Sequence, residues 1–256
     1  MTDQRVTAAA LIIGNEILSG RTQDTNLGYL GKRLTDLGIH LDEARVIPDV
    51  KDVIVRHVNA LRAQHSYVFT TGGIGPTHDD ITADCIAEAV GQPLIENPAA
   101  RALLEARYGA EGLTAARLRM ARTPEDASLI PNPISAVPGF QAGNVFVFAG
   151  IPNIMQAMFE SVAHRLTGGP RLKTATVVAA LREGDLAEPL GAIQARYPNV
   201  EIGSYPFYSS AQFGASLVMR STDRGELEAV VSDVRDMVHA LGATPLSEEI
   251  DPEGGP

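Results

Sequence analysis

The sequence predicts an α/β fold of parallel strands joined by crossover helices, and three observations carry that expectation. Apolar runs of strand length alternate with helical patterns through the first 165 residues. The chain has 256 residues, 45% hydrophobic and 20% charged, enough for a sizeable core. Its apolar runs are short, none approaching the roughly 20 residues that a membrane-spanning helix needs. A soluble protein with no membrane partner is therefore expected.

Val6 to Ile13 reads as a buried strand followed by a loop. A helix is predicted from about Asn26 to Leu37, with Leu27, Leu30, Leu34 and Leu37 on one face and Gly38 as its stop. Ile39 to Ile47 is a second strand, leading through Pro48 to Asp49, an N-cap candidate for a helix with Val50, Val53, Ile54, Val58 and Leu61 inward. Tyr67 to Thr70 is a third strand. It ends at Gly72-Gly73-Ile74-Gly75, and a helix is expected to start near Asp79 or Asp80 with Ile81, Cys85, Ile86 and Val90 on one side. Two helical pieces, about Pro98 to Arg107 and Thr114 to Arg122, interrupt the alternation. After the proline-rich stretch from Pro131 to Pro138 come a strand at Val145 to Phe148 and a helix from about Asn153 to Leu166.

Gly168-Gly169-Pro170 is the best linker, because two glycines and a proline stop that helix before a new strand pattern begins. The expected division is a first domain over 1–168, a small α+β domain over 171–242, and a loose acidic tail over 243–256. The small domain reads β-α-β-β-α, an order similar to KH-like modules. It lacks a Gly-x-x-Gly clamp, which weighs against RNA binding.

The formal charge of −10 opposes general attraction to nucleic acid or anionic membranes, so small molecules or proteins are the expected partners. Between Arg101 and Arg122 the sign reverses: five Arg against two Glu give +3 and leave −13 for the remainder. That segment could meet an anion or form a solvated helix face. A single cysteine, Cys85, excludes an internal disulfide and multi-cysteine metal sites. With no basic leader before the first strand, the cytoplasm is the expected location.

Chemistry concentrates in Thr71-Gly72-Gly73-Ile74-Gly75-Pro76-Thr77-His78-Asp79-Asp80-Ile81-Thr82. Glycines after a strand let the backbone bend sharply toward a ligand, and the next helix start offers free amides to an anion. The pattern is neither a dinucleotide fingerprint nor a Walker A loop. Asp79 and Asp80 would repel a phosphate by a few kcal/mol each, on a scale of about 4 kcal/mol per charge pair at 4 Å and an effective dielectric near 20. Either they point away as caps or a divalent cation intervenes. The loop after the first strand adds Glu16, Asp24 and Asn26, and the one after the second adds Asp49. Ligands collect outside the carboxyl ends of parallel strands, and three carboxylate-bearing loops there suit a hard metal such as magnesium. Asp24 and Asp49 equally fit N-capping, whereas Gly20 separates Glu16 from the helix. His78 is expected to face solvent and Cys85 to be buried.

Gly14-x-Glu16-Ile17-Leu18-x-Gly20, Thr25-Asn26, Pro48-Asp49 and Thr71-Gly72-Gly73-x-Gly75-Pro76-Thr77-x-Asp79-Asp80-x-Thr82 together resemble the molybdopterin-binding domain superfamily. They look most like its branch formed by the amino-terminal domain of competence/damage-inducible protein A (CinA), and are also similar to the corresponding domain of eukaryotic FAD synthases. Val137-Pro138-Gly139-Phe140 and Gly150-Ile151-Pro152 resemble the family's later glycine-proline segments, with Ala149 standing where a proline is usual.

The resemblance implies a three-layer α/β/α fold with a cleft for a phosphorylated pterin or a nucleotide diphosphate, and a homo-oligomer. It implies metal-dependent hydrolysis of a diphosphate such as that of ADP-ribose or FAD. Asp80, Asp49 and Glu16 are the expected catalytic and magnesium-holding residues. Thr71, Gly72, Gly73, Gly75, Thr77, Thr82, Asn26, Asp24, Gly139 and Gly150 are the expected substrate contacts. A pterin or nucleotide binding module without turnover is one alternative. Molybdopterin adenylyl transfer is another, against which the CinA-like Asp79 argues.

Overall fold

A computed structural model describes residues 5–208 and 213–250. The chain divides into two compact units between Gly169 and Pro170. In chain order the first contains β1 (Thr7–Ile13), α1 (Asn15–Leu18), α2 (Asn26–Asp36), β2 (His40–Ile47), α3 (Lys51–Gln64), β3 (Tyr67–Thr71) and α4 (Thr82–Val90). Then come β4 (Leu94–Glu96), α5 (Pro98–Tyr108), α6 (Ala115–Arg119), β5 (Arg122–Pro124), β6 (Ser128–Ile130), β7 (Gly139–Ala142), β8 (Val145–Phe148) and α7 (Pro152–Val162). The main sheet runs β2-β1-β3-β8-β7-β6. Its first four strands are parallel and its last two antiparallel.

The three layers follow from the alternation of side chains along β1. Ala9, Leu11 and Ile13 pack with Ile54, Val58 and Leu61 of α3 and Cys85 and Ile86 of α4. Ala8, Ala10 and Ile12 pack on the other face with Leu30 and Leu34 of α2 and Met155, Met158 and Phe159 of α7. A strand buried on both faces has to be apolar throughout, which is why β1 reads as an unbroken run. Phe69, Phe146, Phe148 and Phe159 form an aromatic cluster on the α2/α7 side, with ring centroids from 5.3 to 6.2 Å apart. Such pairs contribute about 0.5 to 1.5 kcal/mol beyond burial of their area.

Helices α2 and α7 are also clamped by charge. Glu160 accepts from Arg33 Nε at 2.6 Å and Arg33 Nη2 at 3.0 Å, and from the Tyr29 hydroxyl. The Arg33 hydrogen bonds hold the Glu160 carboxyl below the ordinary glutamate range. Burial, together with the neighbouring Glu160, pushes the Tyr29 hydroxyl up to about 12.

The second unit contains β9 (Lys173–Ala179), α8 (Glu183–Arg196), β10 (Glu201–Tyr208), β11 (Phe213–Ser221), α9 (Arg224–Ala240) and β12 (Pro245–Ile250). Its antiparallel sheet runs β10-β11-β9-β12. Leu186, Leu190 and Ile193 of α8 and Val230, Val231 and Val234 of α9 share one core with Val177, Leu217 and Met219.

Several local expectations are corrected. The segment read as a loose acidic tail forms β12 along the edge of β9, and Glu248 is held by Arg235 Nε at 2.9 Å. Backbone pairing on an open sheet edge outweighs the acidic composition there; residues 251–256 lie outside the described residues. The loop after β1 contains the short helix α1. Helix α4 starts at Thr82 rather than at Asp79 or Asp80, because the Asp80 carboxylate serves its own turn. Asp49 is not the N-cap of α3; that position is Val50, which is exposed. Arg122 opens the two-stranded β4/β5 ribbon instead of closing a helix. Strands β6 and β7 were hidden by their brevity and by the intervening prolines.

Gly139 is required by this packing: a Cβ there would lie 2.2 Å from the Val147 carbonyl oxygen and 2.4 Å from Met158 Cε. Gly139→Ala is expected to lower stability by about 1 to 3 kcal/mol, the usual range for overpacking, read as a lower urea midpoint. Glu160→Gln gives a second test. A carboxylate whose folded pKa is depressed stabilises above its unfolded value, near pH 4.3, and that contribution disappears as pH falls through the folded value. The stability gap between wild type and Glu160→Gln, under about 1 kcal/mol for so exposed a group, should be present at pH 7 and vanish once acid has protonated Glu160 in the folded chain. A gap that persists in acid would remove the charge from the account of the clamp.

Candidate functional site

The carboxyl ends of β1, β2, β3 and β8 bring four loops to one edge of the main sheet. Backbone pairing continues past the strands: Gly14 N donates to Ile47 O at 3.1 Å, and Gly72 N to Phe148 O at 3.2 Å. Asn15 N donates to the Asp49 carboxylate at 2.9 Å, tying the β1 loop to the β2 loop. Asn26 Nδ2 donates to Gly150 O at 2.8 Å, tying the start of α2 to the β8 loop.

The glycine loop is built by close approach. Gly72 has φ +103°, and a Cβ there would lie 2.2 Å from Ile13 O. Gly73 has φ +69°, with its Cβ position 2.2 Å from Thr82 Oγ1. Thr82 is fully buried, donates from Oγ1 to Gly72 O at 2.9 Å and from its amide to Gly73 O at 3.0 Å. These glycines admit protein atoms, which is a reason for glycine independent of any ligand. A Cβ on Gly75 would lie 2.6 Å from Asp80 Oδ2, and one on Gly150 would lie 3.3 Å from Gly72 Cα.

Two recesses open at this edge. One, of about 340 Å³, is lined by Glu16, Thr22, Asp24, Thr25, Asn26, Thr71, Gly150 and Pro152, over Ile12, Ile13 and Ile17. Its side chains offer mainly acceptors. Asn26 is 4% exposed, and its Oδ1 is buried with no hydrogen-bond partner among the described residues. One carboxylate oxygen of Asp24 caps α2 by accepting from Leu27 N at 2.9 Å. The Glu16 carboxylate folds back over Gly14 and accepts no hydrogen bond among the described residues.

The other recess, of about 300 Å³, lies between Gly73, Ile74, Gly75 and Asp80 on one side and Arg119, Met120, Arg122 and Phe140 on the other. Here donors dominate. Arg119 Nη2 donates to Asp80 O at 3.3 Å, and Arg122 Nη2 to Asp84 Oδ2 at 2.9 Å. The Nε atoms of both arginines are buried without a hydrogen-bond partner among the described residues. An unmet buried donor costs about 1 to 3 kcal/mol, more when charged, so a fold that retains two of them beside a recess calls for an acceptor. Sequence reasoning named neither arginine; the local +3 charge between Arg101 and Arg122 was the available signal.

The expected site residues thus fall into two groups. Glu16, Asp24, Asn26, Thr71 and Gly150 meet in the first recess, and Gly73, Gly75 and Asp80 in the second. Thr77 is turned to Asp80, donating to it from both its amide and its hydroxyl. Its hydroxyl also holds the Asp79 carboxyl below the ordinary aspartate range. His78 is solvent-facing, 95% exposed. Cys85 is buried, and burial pushes its thiol up to about 12, far from a thiolate at neutral pH.

Among the described residues no three His, Cys, Asp or Glu side chains converge to hold a metal ion. Asp49 is drawn to the Asn15 amide, Asp80 to Thr77, and Glu16 lies in the other recess. The expected trio of Glu16, Asp49 and Asp80 does not fit a resident magnesium. Local backbone donors claim the Asp49 and Asp80 carboxylates.

Residues 9–173 match the family described as a probable molybdopterin binding domain. The chain belongs to that family. Residues 171–245 match the middle domain of FAD synthase. Outside the molybdopterin-binding match, full-length relatives agree as well: a protein of Aeropyrum pernix is 32% identical, the alignment covering 93% of this chain and 95% of that one. A probable FAD synthase of Caenorhabditis elegans is 33% identical over 92% of this chain, which spans half of that longer protein. The crystal structure of CinA, of unknown function, from Thermoplasma acidophilum superposes with a TM-score of 0.59 at 33% identity, covering 63% of this chain and 99% of that one. No helix among the described residues is long and apolar enough to cross a membrane.

Thr82 is the pin between the glycine loop and α4. Thr82→Val keeps the shape and removes one hydroxyl, leaving Gly72 O without that partner. It should cost about 1 to 2 kcal/mol, read as a lowered urea midpoint. An unchanged midpoint would show that Thr82 does not hold the loop.

Proposed function

We propose that this chain binds a nucleotide diphosphate, such as ADP-ribose or FAD, and hydrolyses its P–O–P anhydride linkage. The observation that carries the reading is the pair of recesses of opposite hydrogen-bond character at one sheet edge. A nucleotide is bipolar in the same sense: its heterocycle presents N–H donors, and its diphosphate presents only acceptors and negative charge. The acceptor-lined recess at Asn26 and Asp24 suits the first, and the donor-lined recess at Gly73 and Gly75 the second. The FAD synthase relative and the match to the FAD synthase middle domain support a nucleotide-related role.

In the proposed reaction water attacks one phosphorus, the bridging P–O bond breaks, and two phosphate monoesters leave. The proton lost by water goes to bulk solvent, because Glu16 lines the recess assigned to the heterocycle and not the one assigned to the diphosphate. Asp80 shapes the loop through Thr77, and Asp49 holds the Asn15 amide, so both act by position. Any magnesium in the reaction arrives with the diphosphate of the substrate, the usual manner for that ion. Cytoplasmic location and homo-oligomeric assembly belong to the same proposal.

Incubation with ADP-ribose, FAD, NAD and ATP, with and without divalent metal, tests it through AMP release. ADP-ribose or FAD should yield AMP in at least one of these metal conditions. Binding without AMP release under every metal condition would replace the hydrolase by a nucleotide-binding module.

A further inference from the structure

We propose that Arg119 is the cation that receives the diphosphate, supplying the positive charge that the expected carboxylate-held metal would have supplied. The inference rests on the nucleotide-diphosphate reading above and adds to it a residue from the segment between α5 and β5.

Three observations meet at this side chain. Arg119 lines the recess opposite Gly73 and Gly75, across from the loop whose amides are the other anion donors. No carboxylate among the described residues pairs with it; its one hydrogen bond goes to a backbone carbonyl, Asp80 O, at 3.3 Å, while its Nε is buried without an acceptor. Arg122 differs: its fork already grips Asp84, with Nη1 to Oδ1 at 3.3 Å and Nη2 to Oδ2 at 2.9 Å. That pair anchors the segment to α4 and fixes the wall from which Arg119 projects.

The charge requirement is independent of these contacts. Asp79 and Asp80 flank the glycine loop in a chain of net charge −10, and no three acidic, histidine or cysteine side chains converge to hold a metal among the described residues. An anion brought to that loop needs a nearby cation, and Arg119 is the guanidinium in the recess without a carboxylate. Planar N–H donors match phosphate oxygens, and an arginine stays charged at every working pH.

Calorimetric titration of the full chain with inorganic pyrophosphate and with ADP-ribose, in EDTA and in magnesium, tests the assignment. Arg119→Gln should weaken both ligands at least tenfold, and the exposed Arg107→Gln, which makes the same charge change, less than twofold. Wild-type pyrophosphate binding should change less than threefold in EDTA. A folding-independent measurement accompanies these: phenylglyoxal labelling of the wild-type chain followed by peptide mass mapping, in which pyrophosphate should protect Arg119. Equal affinity of the Arg119→Gln and Arg107→Gln variants, loss of wild-type binding in EDTA, or labelling of Arg119 indifferent to pyrophosphate would each overturn the proposal. Failure of wild type to bind either ligand under both conditions would overturn the diphosphate reading together with it.

Discussion

Close backbone approach at the carboxyl edge of the main sheet is the constraint on which the site depends. Three chain segments converge where side chains have no room: Ile13 leaving β1, Gly72 leaving β3 and Gly150 after β8. The Gly72 contact excludes a Cβ and the Gly150 contact leaves little room for one, and each is pinned by one side chain reaching across, Thr82 to Gly72 O and Asn26 to Gly150 O. Interiors are packed too densely for such an edge to deform smoothly. The loops therefore hold their shape before any ligand arrives, and that shape divides the edge into two recesses.

The same packing decides the fate of the acidic residues. A carboxylate beside free backbone amides gains a charge-assisted hydrogen bond, worth roughly 1.5 to 3 kcal/mol. Asp49, Asp80 and Asp24 each take such a partner, in Asn15, Thr77 and Leu27 respectively. To gather them around one ion, the loops would have to surrender those bonds and move together through a close-packed edge. Glu16 is the exception: Gly14 beneath it leaves space, and no donor among the described residues claims its oxygens.

The layered core was legible because its physics is local and periodic. β1 is apolar at every position from Ala8 to Ile13, α2 repeats leucines at helical spacing, and Gly38 and Gly91 end their helices with left-handed φ near +70°. The motifs also fall together at one sheet edge, since Gly14, Asp49, Gly72 and Gly150 all follow strands. What could not be read was the partner of each polar atom. Asp49 and Asp80 have the same sequence signature whether they cap a turn, hold a metal or satisfy a loop amide. The arginine wall was hidden for a related reason. Arg119 and Arg122 are 39 and 38 residues from the groups they contact, Asp80 and Asp84, and only the fold brings them together. Short antiparallel strands such as β6 and β12 escaped because three to six residues carry too little periodicity against prolines or acidic neighbours.

The division of hydrogen-bond character between the recesses has a consequence for specificity. A buried acceptor that lacks a donor, such as Asn26 Oδ1, penalises any occupant unable to supply one, because its desolvation is left uncompensated. The penalty falls on the wrong ligand more heavily than a good contact rewards the right one. Phosphate carries no N–H, and the carboxylates of Glu16 and Asp24 would repel it at the first recess. On the same proposal the second recess works in reverse: the guanidinium groups of Arg119 and Arg122 on its wall disfavour an apolar or cationic occupant. On the proposed reading, orientation of a bipolar ligand along the edge is set at both ends by what each recess excludes.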